Sequence, residues 1–187
     1  MSLAIVFPGQ GSQSVGMLAE LGAAFPVVGR TFEEASEVLG YDLWVLIQEG
    51  PEADLNDTTR TQPALLTAGI AVGRVWREQG GPTPVLMAGH SLGEYTALVA
   101  AGAIPFAATV DLVRARGEAM QQAVPIGTGA MAAILGLDDD AVRAACAVTA
   151  GDEVVAAVNL NAPGQVVIAG HTNAVERAIA AAEGART

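Results

Sequence analysis

Ser91 stands in Gly89-His90-Ser91-Leu92-Gly93, a G-x-S-x-G pentapeptide. A serine hydroxyl in that setting can attack an acyl carbon and hold it as an ester. The apolar residues 85–88 before it read as a short strand, and residues 94–101 after it read as a helix. A strand–turn–helix of this kind holds the serine in a strained turn, and the two glycines let neighbouring backbone pass close. The hydroxyl then stands at the C-terminal edge of a sheet, above the N-terminus of a helix. The Leu92 N–H is placed to donate to the oxyanion that forms after attack. The plainer alternative is a chance pentapeptide in a chain with 22 glycines.

A serine nucleophile needs a base, and the chain has two histidines, His90 and His171. His90 adjoins Ser91, and neighbouring side chains in a tight turn point in different directions, so it lines a pocket more readily than it takes the serine proton. His171 falls in the turn before the last helix and reads as a helix-start residue. Taken residue by residue, the pattern supplies a nucleophile, half an oxyanion hole and no convincing base.

Arg114 and Arg116 lie in the helix after the elbow helix and, two residues apart, face different ways. One could point into a cleft and bind a carboxylate in bidentate fashion. The other reading is a solvated Arg, or one paired with Asp111 or Glu118, and pattern alone favours it. Residues 7–13, FPGQGSQ, form a strand–loop–helix element. A dinucleotide fingerprint would need glycine at position 14, where the chain has Ser14. The better use of this loop is a second backbone N–H facing the elbow, since strand-to-helix loops of one parallel sheet open at the same edge.

Composition narrows the classes further. Nine basic residues, all arginine, stand against 20 acidic ones, for a net charge of -11. Such a chain is a poor non-specific binder of nucleic acid or of an anionic membrane. One cysteine, Cys146, leaves no internal disulfide and no cysteine-based zinc cluster, and its helical Ala-Val surroundings read as core. The N-terminus has no basic leader region and no long uninterrupted apolar run follows, so a soluble, cytoplasmic protein is expected.

The remaining elements follow from periodicity and breakers. Residues 3–7 read as a buried strand, and helices are expected over 14–22, 32–39, 43–48, 63–76 and 105–123, with Pro63 at a first helical position. After a linker at 125–129 the rhythm becomes strand, helix, strand, strand, helix, with strands at 130–137, 154–160 and 165–169. That order lacks only a final strand to complete the ferredoxin-like split βαβ pattern.

Several spaced segments together resemble one family. FPGQGSQxxGM at 7–17, TQPALL at 61–66, GHSLGEYTALVAAG at 89–102, the Arg116-Gly117 pair and NLNAPGQVVIAG at 159–170 are similar to bacterial malonyl-CoA:acyl carrier protein transacylases. They resemble more loosely the acyltransferase domains of fatty-acid and polyketide synthases. The resemblance implies an α/β fold: an α/β-hydrolase-like large lobe with a parallel sheet, in residues 1–126, and an inserted ferredoxin-like small lobe, in residues 127–187. Both lobes would be incomplete in this chain.

It implies malonyl transfer from malonyl-CoA to the phosphopantetheine thiol of acyl carrier protein, without a cofactor, through a malonyl ester on Ser91. The N–H groups of Gln10 and Leu92 would form the oxyanion hole, and Arg116 would pair with the malonyl carboxylate. Gln62, His90 and Asn161 match pocket-lining positions. The family's base histidine and the glutamine that orients it match nothing here, so an N-terminal portion of a longer protein is expected, with the missing part as a partner. An esterase or thioesterase, and a binding-only fragment, remain the competing classes.

Overall fold

The computed structural model of the chain describes residues 2–125 and 127–184. The expected lobe boundary at residue 126 and the chain's last three residues lie outside these. The chain divides into two compact units, Met1–Gln122 and Ala123–Thr187.

The first unit begins with strand β1 (Ala4–Phe7) and continues through helices α1 (Ala19–Ala24), α2 (Pro26–Leu39), α3 (Leu43–Glu49), α4 (Glu52–Leu55) and α5 (Thr58–Glu78). Strand β2 (Leu86–Gly89), helix α6 (Leu92–Ala100) and helix α7 (Phe106–Gln122) complete it. β1 and β2 pair in parallel, with Ala4 opposite Leu86 and Phe7 opposite Gly89. Because the strands run the same way, the loop after Phe7 and the turn after Gly89 leave the sheet at the same edge. Val6 and Leu86, both well exposed, show that part of this small sheet is uncovered among the described residues.

Short polar side chains set where the helices start. Asp42 accepts from the Val45 N–H at the head of α3, and Asp57 accepts from the Thr59 N–H at the head of α5. These caps satisfy amides that have no intrahelical partner. α5 therefore starts five residues before Pro63, which lies inside the helix rather than at its first position. The early start matters, because it places Gln62 in a rigid helix. Helix α2 likewise starts six residues before the expected 32, with Pro26 at its first position.

Residues 14–18 do not form the expected helix. Gly16 and Leu18 both take positive φ, and helix begins only at Ala19. α5 packs against α2, α6 and α7, and α3 packs against α2; Phe32, Leu43, Ile47, Leu66, Val110 and Val113 are fully buried in their shared core. Each such side chain contributes about 1.5–3 kcal/mol by leaving water. Phe32 and Trp44 meet edge to face with centroids 5.0 Å apart.

The second unit runs β3 (Gly129–Leu135), α8 (Asp139–Thr149), β4 (Val155–Ala162), β5 (Gln165–His171) and α9 (Thr172–Gly184). Its sheet has the order β3-β5-β4 and is antiparallel throughout. Asp138 caps α8 through the Ala141 N–H. Ile134, Val142, Cys146, Val166, Ile168 and Val175 form its core. No helix among the described residues is long and apolar enough to cross a membrane.

Candidate active site

Ser91 has φ 53° and ψ -110°, at the junction of β2 and α6. A side-chain-bearing residue with φ in that region is strained, and such strain persists only where the surroundings impose it. The two flanking glycines show what imposes it. A Cβ on Gly89 would sit 2.0 Å from the carbonyl of Gly93. A Cβ on Gly93 would sit 2.2 Å from the Phe7 carbonyl oxygen and 2.9 Å from that of Pro8. The first turn of α6 is thus pressed directly against the end of β1. Only two bare backbones can come so close, which is the steric content of the pentapeptide.

The same approach brings the 8–13 loop against the elbow. The space beside the Gly9 Cα abuts the His90 carbonyl oxygen. Within the loop, Ser12 Oγ donates to the Gly9 carbonyl and the Gly11 N–H donates to Gln13 Oε1. Gln13 Nε2 reaches Asn56 Oδ1, and Gln10 Nε2 reaches Thr58 Oγ1. These contacts tie the loop to the start of α5. At the head of α6 the Gly93 N–H is spent on the His90 carbonyl. The Leu92 N–H, first in the helix, has no intrahelical acceptor and is the natural donor to an anion at Ser91.

Arg116 completes the group. Its Nη2 donates to Ser91 Oγ at 2.9 Å, and its Nη1 donates to Gln62 Oε1 at 2.7 Å. The guanidinium also lies over the Tyr95 ring, 5.6 Å from its centroid. Gln62 is fully buried, whereas Ser91 and His90 are exposed. Arg116 reaches this point because Gly117 lets α7 touch the start of α5. A Cβ on Gly117 would lie 2.8 Å from both the Thr58 carbonyl oxygen and the Thr59 Cα.

Arg114, two residues away, takes the other course. It bridges Asp111 and Glu118 along its own helix, and these carboxylates raise its pKa above the ordinary arginine value. The solvated, internally paired reading therefore fits Arg114, and the cleft-facing one fits Arg116.

The structure thus gathers Ser91, Leu92, His90, Arg116 and Gln62 around the elbow, with the Gln10 loop alongside. Asn161 is in the second unit, on β4, beside the start of α8 at Asp138–Asp140. His171 is also there, and its Nδ1 accepts the Val154 N–H at 3.0 Å. That bond employs it as a structural acceptor at the end of β5. Cys146 is buried, and burial pushes its thiol pKa up, so it lacks the ready thiolate of a reactive cysteine. Met120 and Tyr95, which also touch the Arg116–Gln62 pair, were not singled out by the sequence. Met120 stands four residues after Arg116, the one-face spacing that could have shown it.

The sequence model of the family described as acyl transferase domain matches residues 4–186. A malonyl CoA-acyl carrier protein transacylase of Escherichia coli is 63% identical over 182 residues, covering 97% of this chain and 59% of that protein. Among solved structures, an acyl carrier protein S-malonyltransferase of Vibrio cholerae superposes with a TM-score of 0.94 at 61% identity. It covers 98% of this chain and 60% of that one. A malonyl-transacylase solved in complex with a type II PKS acyl-carrier protein gives a TM-score of 0.96 at 60% identity, covering 99% of this chain and 60% of that one. The chain therefore spans about 59% of the length of the curated relatives it matches. A family match running almost from end to end, on an α/β fold with the elbow in place, settles the family: this chain belongs to the acyl transferase domain family.

Proposed function

We propose that the chain carries the nucleophile and the acyl-selecting half of a malonyl-CoA:acyl carrier protein transacylase. The observation that carries this reading is the 2.9 Å contact between Arg116 Nη2 and Ser91 Oγ. It sets a cation directly beside a nucleophile in an elbow, where the carboxylate of a short acyl group on that serine would meet it once the guanidinium releases the hydroxyl.

In the first step Ser91 Oγ attacks the thioester carbonyl of malonyl-CoA. The Oγ–C bond forms, the serine proton passes to a base, and the carbonyl electrons move onto oxygen. The N–H groups of Gln10 and Leu92 stabilise that oxyanion, each worth roughly 10²–10³ in rate. The carbonyl then re-forms, the C–S bond breaks, and CoA leaves as a thiol after taking the proton. In the second step the phosphopantetheine thiol of acyl carrier protein gives its proton to the base and attacks the malonyl ester; the S–C bond forms, the C–O bond to Ser91 breaks, and the serine oxygen takes that proton from the base. No cofactor takes part.

Arg116 pairs with the malonyl carboxylate, His90 lines the pocket beside it, and Gln62, which matches a pocket position of the family, stands buried behind Arg116. Asn161 enters this reading through its motif alone. Arginine accepts no proton and His171 Nδ1 is occupied; by the family resemblance the base is a histidine in a further part of the protein, matched by neither His90 nor His171. Acyl carrier protein and that further part are the partners. The parallel β1–β2 pair with its elbow supports an α/β-hydrolase-like lobe, and the β3-β5-β4 order supports a ferredoxin-like one. The test is peptide mapping after prolonged incubation with malonyl-CoA. A malonyl ester is expected on the peptide holding Ser91 and on none from Ser91→Ala. An unmodified Ser91, or the same adduct in Ser91→Ala, would overturn the assignment.

A further inference from the structure

Gln62 is a fully buried primary amide between two residues of α7, Arg116 and Met120, four positions apart on one helix face. Its Oε1 accepts from Arg116 Nη1 at 2.7 Å, and its Nε2 donates to the Met120 sulfur at 3.4 Å. The two neighbours are of opposite kind. A guanidinium only donates, and a thioether only accepts. One amide orientation satisfies both, and the flipped one would set an N–H against the guanidinium and an oxygen against the sulfur. With Nη1 committed to Gln62 and the Tyr95 ring beneath the guanidinium, Nη2 is the edge left facing Ser91.

We propose that Gln62, fixed in this orientation by the Met120 sulfur, is a positioning residue that sets acyl specificity by holding Arg116 aimed at the acyl pocket while leaving its charge unneutralised. It rests on the reading of Arg116 as the partner of the acyl carboxylate. An amide oxygen is suited to this because it orients a cation without cancelling its charge. A carboxylate at the same place would take the guanidinium as an ion pair and compete with the ligand.

The experiment is calorimetric titration of the 187-residue chain with malonyl-CoA and, separately, acetyl-CoA. The wild-type chain binds malonyl-CoA more tightly than acetyl-CoA. Gln62→Glu weakens malonyl-CoA by about tenfold or more, the size of one lost charge-assisted contact, and changes acetyl-CoA less than about twofold. Met120→Leu, which keeps the volume and removes the acceptor, weakens malonyl-CoA alone by about threefold, less than one such contact. A merely structural role would weaken both ligands together, so equal losses for the two thioesters overturn the proposal. Retained malonyl preference in both variants overturns it as well, while Arg116→Ala still erasing the preference shows that the carboxylate reading survives. No preference in the wild-type chain removes that reading and this proposal with it.

Discussion

The two units use the same residue types to opposite ends. Around the elbow, Ser91 is strained, two glycines sit where no Cβ fits, and Arg116 spends its donors on a buried amide and a serine hydroxyl. In the second unit His171 accepts a backbone N–H. Arg177 there donates to the Thr149 and Ala150 carbonyls and pairs with Glu153. A polar side chain that closes its own backbone's hydrogen bonds is structure. One held by other elements beside an exposed strand edge, with no carboxylate among the described residues to neutralise it, is available for chemistry. Arg114 and Arg116 repeat the contrast within one helix.

The contrast is sharpened most by rate. Ser91 is contacted by a donor and, among the described residues, by no side-chain acceptor that could take its proton. The 187-residue chain should therefore acylate about 10⁴-fold or more slowly than the Escherichia coli relative, read by intact mass against time. Comparable rates would mean that a base is already at hand. Next comes Gly93→Ala, which forces the Phe7 carbonyl away from α6 and so shifts the Gln10 loop and the Leu92 N–H, the two donors proposed for the oxyanion. Adduct formation on Ser91 should fall by about 10² or more, and an unaltered rate would show that the close approach does not serve the site.

Asp57 gives a smaller effect. Its hydrogen bonds to Thr59 hold its carboxyl below the ordinary value of 3.8. Asp57→Ala should cost about 1 kcal/mol in chemical denaturation at neutral pH. A carboxylate with a lowered folded pKa stabilises above its unfolded pKa and loses that contribution as pH falls through the folded one. The difference between wild type and variant should thus be full at pH 7 and shrink below about pH 4. A constant difference across that range would separate the capping from the charge. Smallest is His171→Ala, expected to cost about 0.5–1 kcal/mol in stability, the net worth of one hydrogen bond, with the adduct level on Ser91 unchanged. A drop in adduct there would make the second unit's histidine part of the chemistry.

Much of this was legible in the sequence because local physics wrote it there. The elbow, its strand and its helix follow from one pentapeptide in apolar surroundings, and the strand–helix–strand–strand–helix order after residue 125 follows from alternation and breakers. Caps misled at one place: Pro63 looked like a start signal, while Asp57 had already begun the helix. Residues 14–18 failed for a different reason: Gly16 and Leu18 take positive φ, and the Gly16 N–H and the Met17 carbonyl bond to Ile47 and Gln48 of α3, contacts that periodicity does not record. The choice between Arg114 and Arg116 was undecidable from spacing, because it depends on Gly117 bringing α5 within reach. Met120 was missed because its spacing from Arg116 shows a shared helix face but not that the thioether accepts a buried amide.

The most direct measurement is competition at the nucleophile. The chain and its Arg116→Ala variant are each incubated with equimolar malonyl-CoA and acetyl-CoA, and the two Ser91 adducts are counted by mass spectrometry. Each thioester meets the same serine, so the ratio reports acyl selection independently of absolute rate. Malonyl should predominate by about tenfold or more in the wild-type chain, the worth of one charge-assisted contact, and the ratio should fall to near unity in Arg116→Ala. Equal adducts in the wild-type chain, or the same malonyl excess without Arg116, would contradict the account.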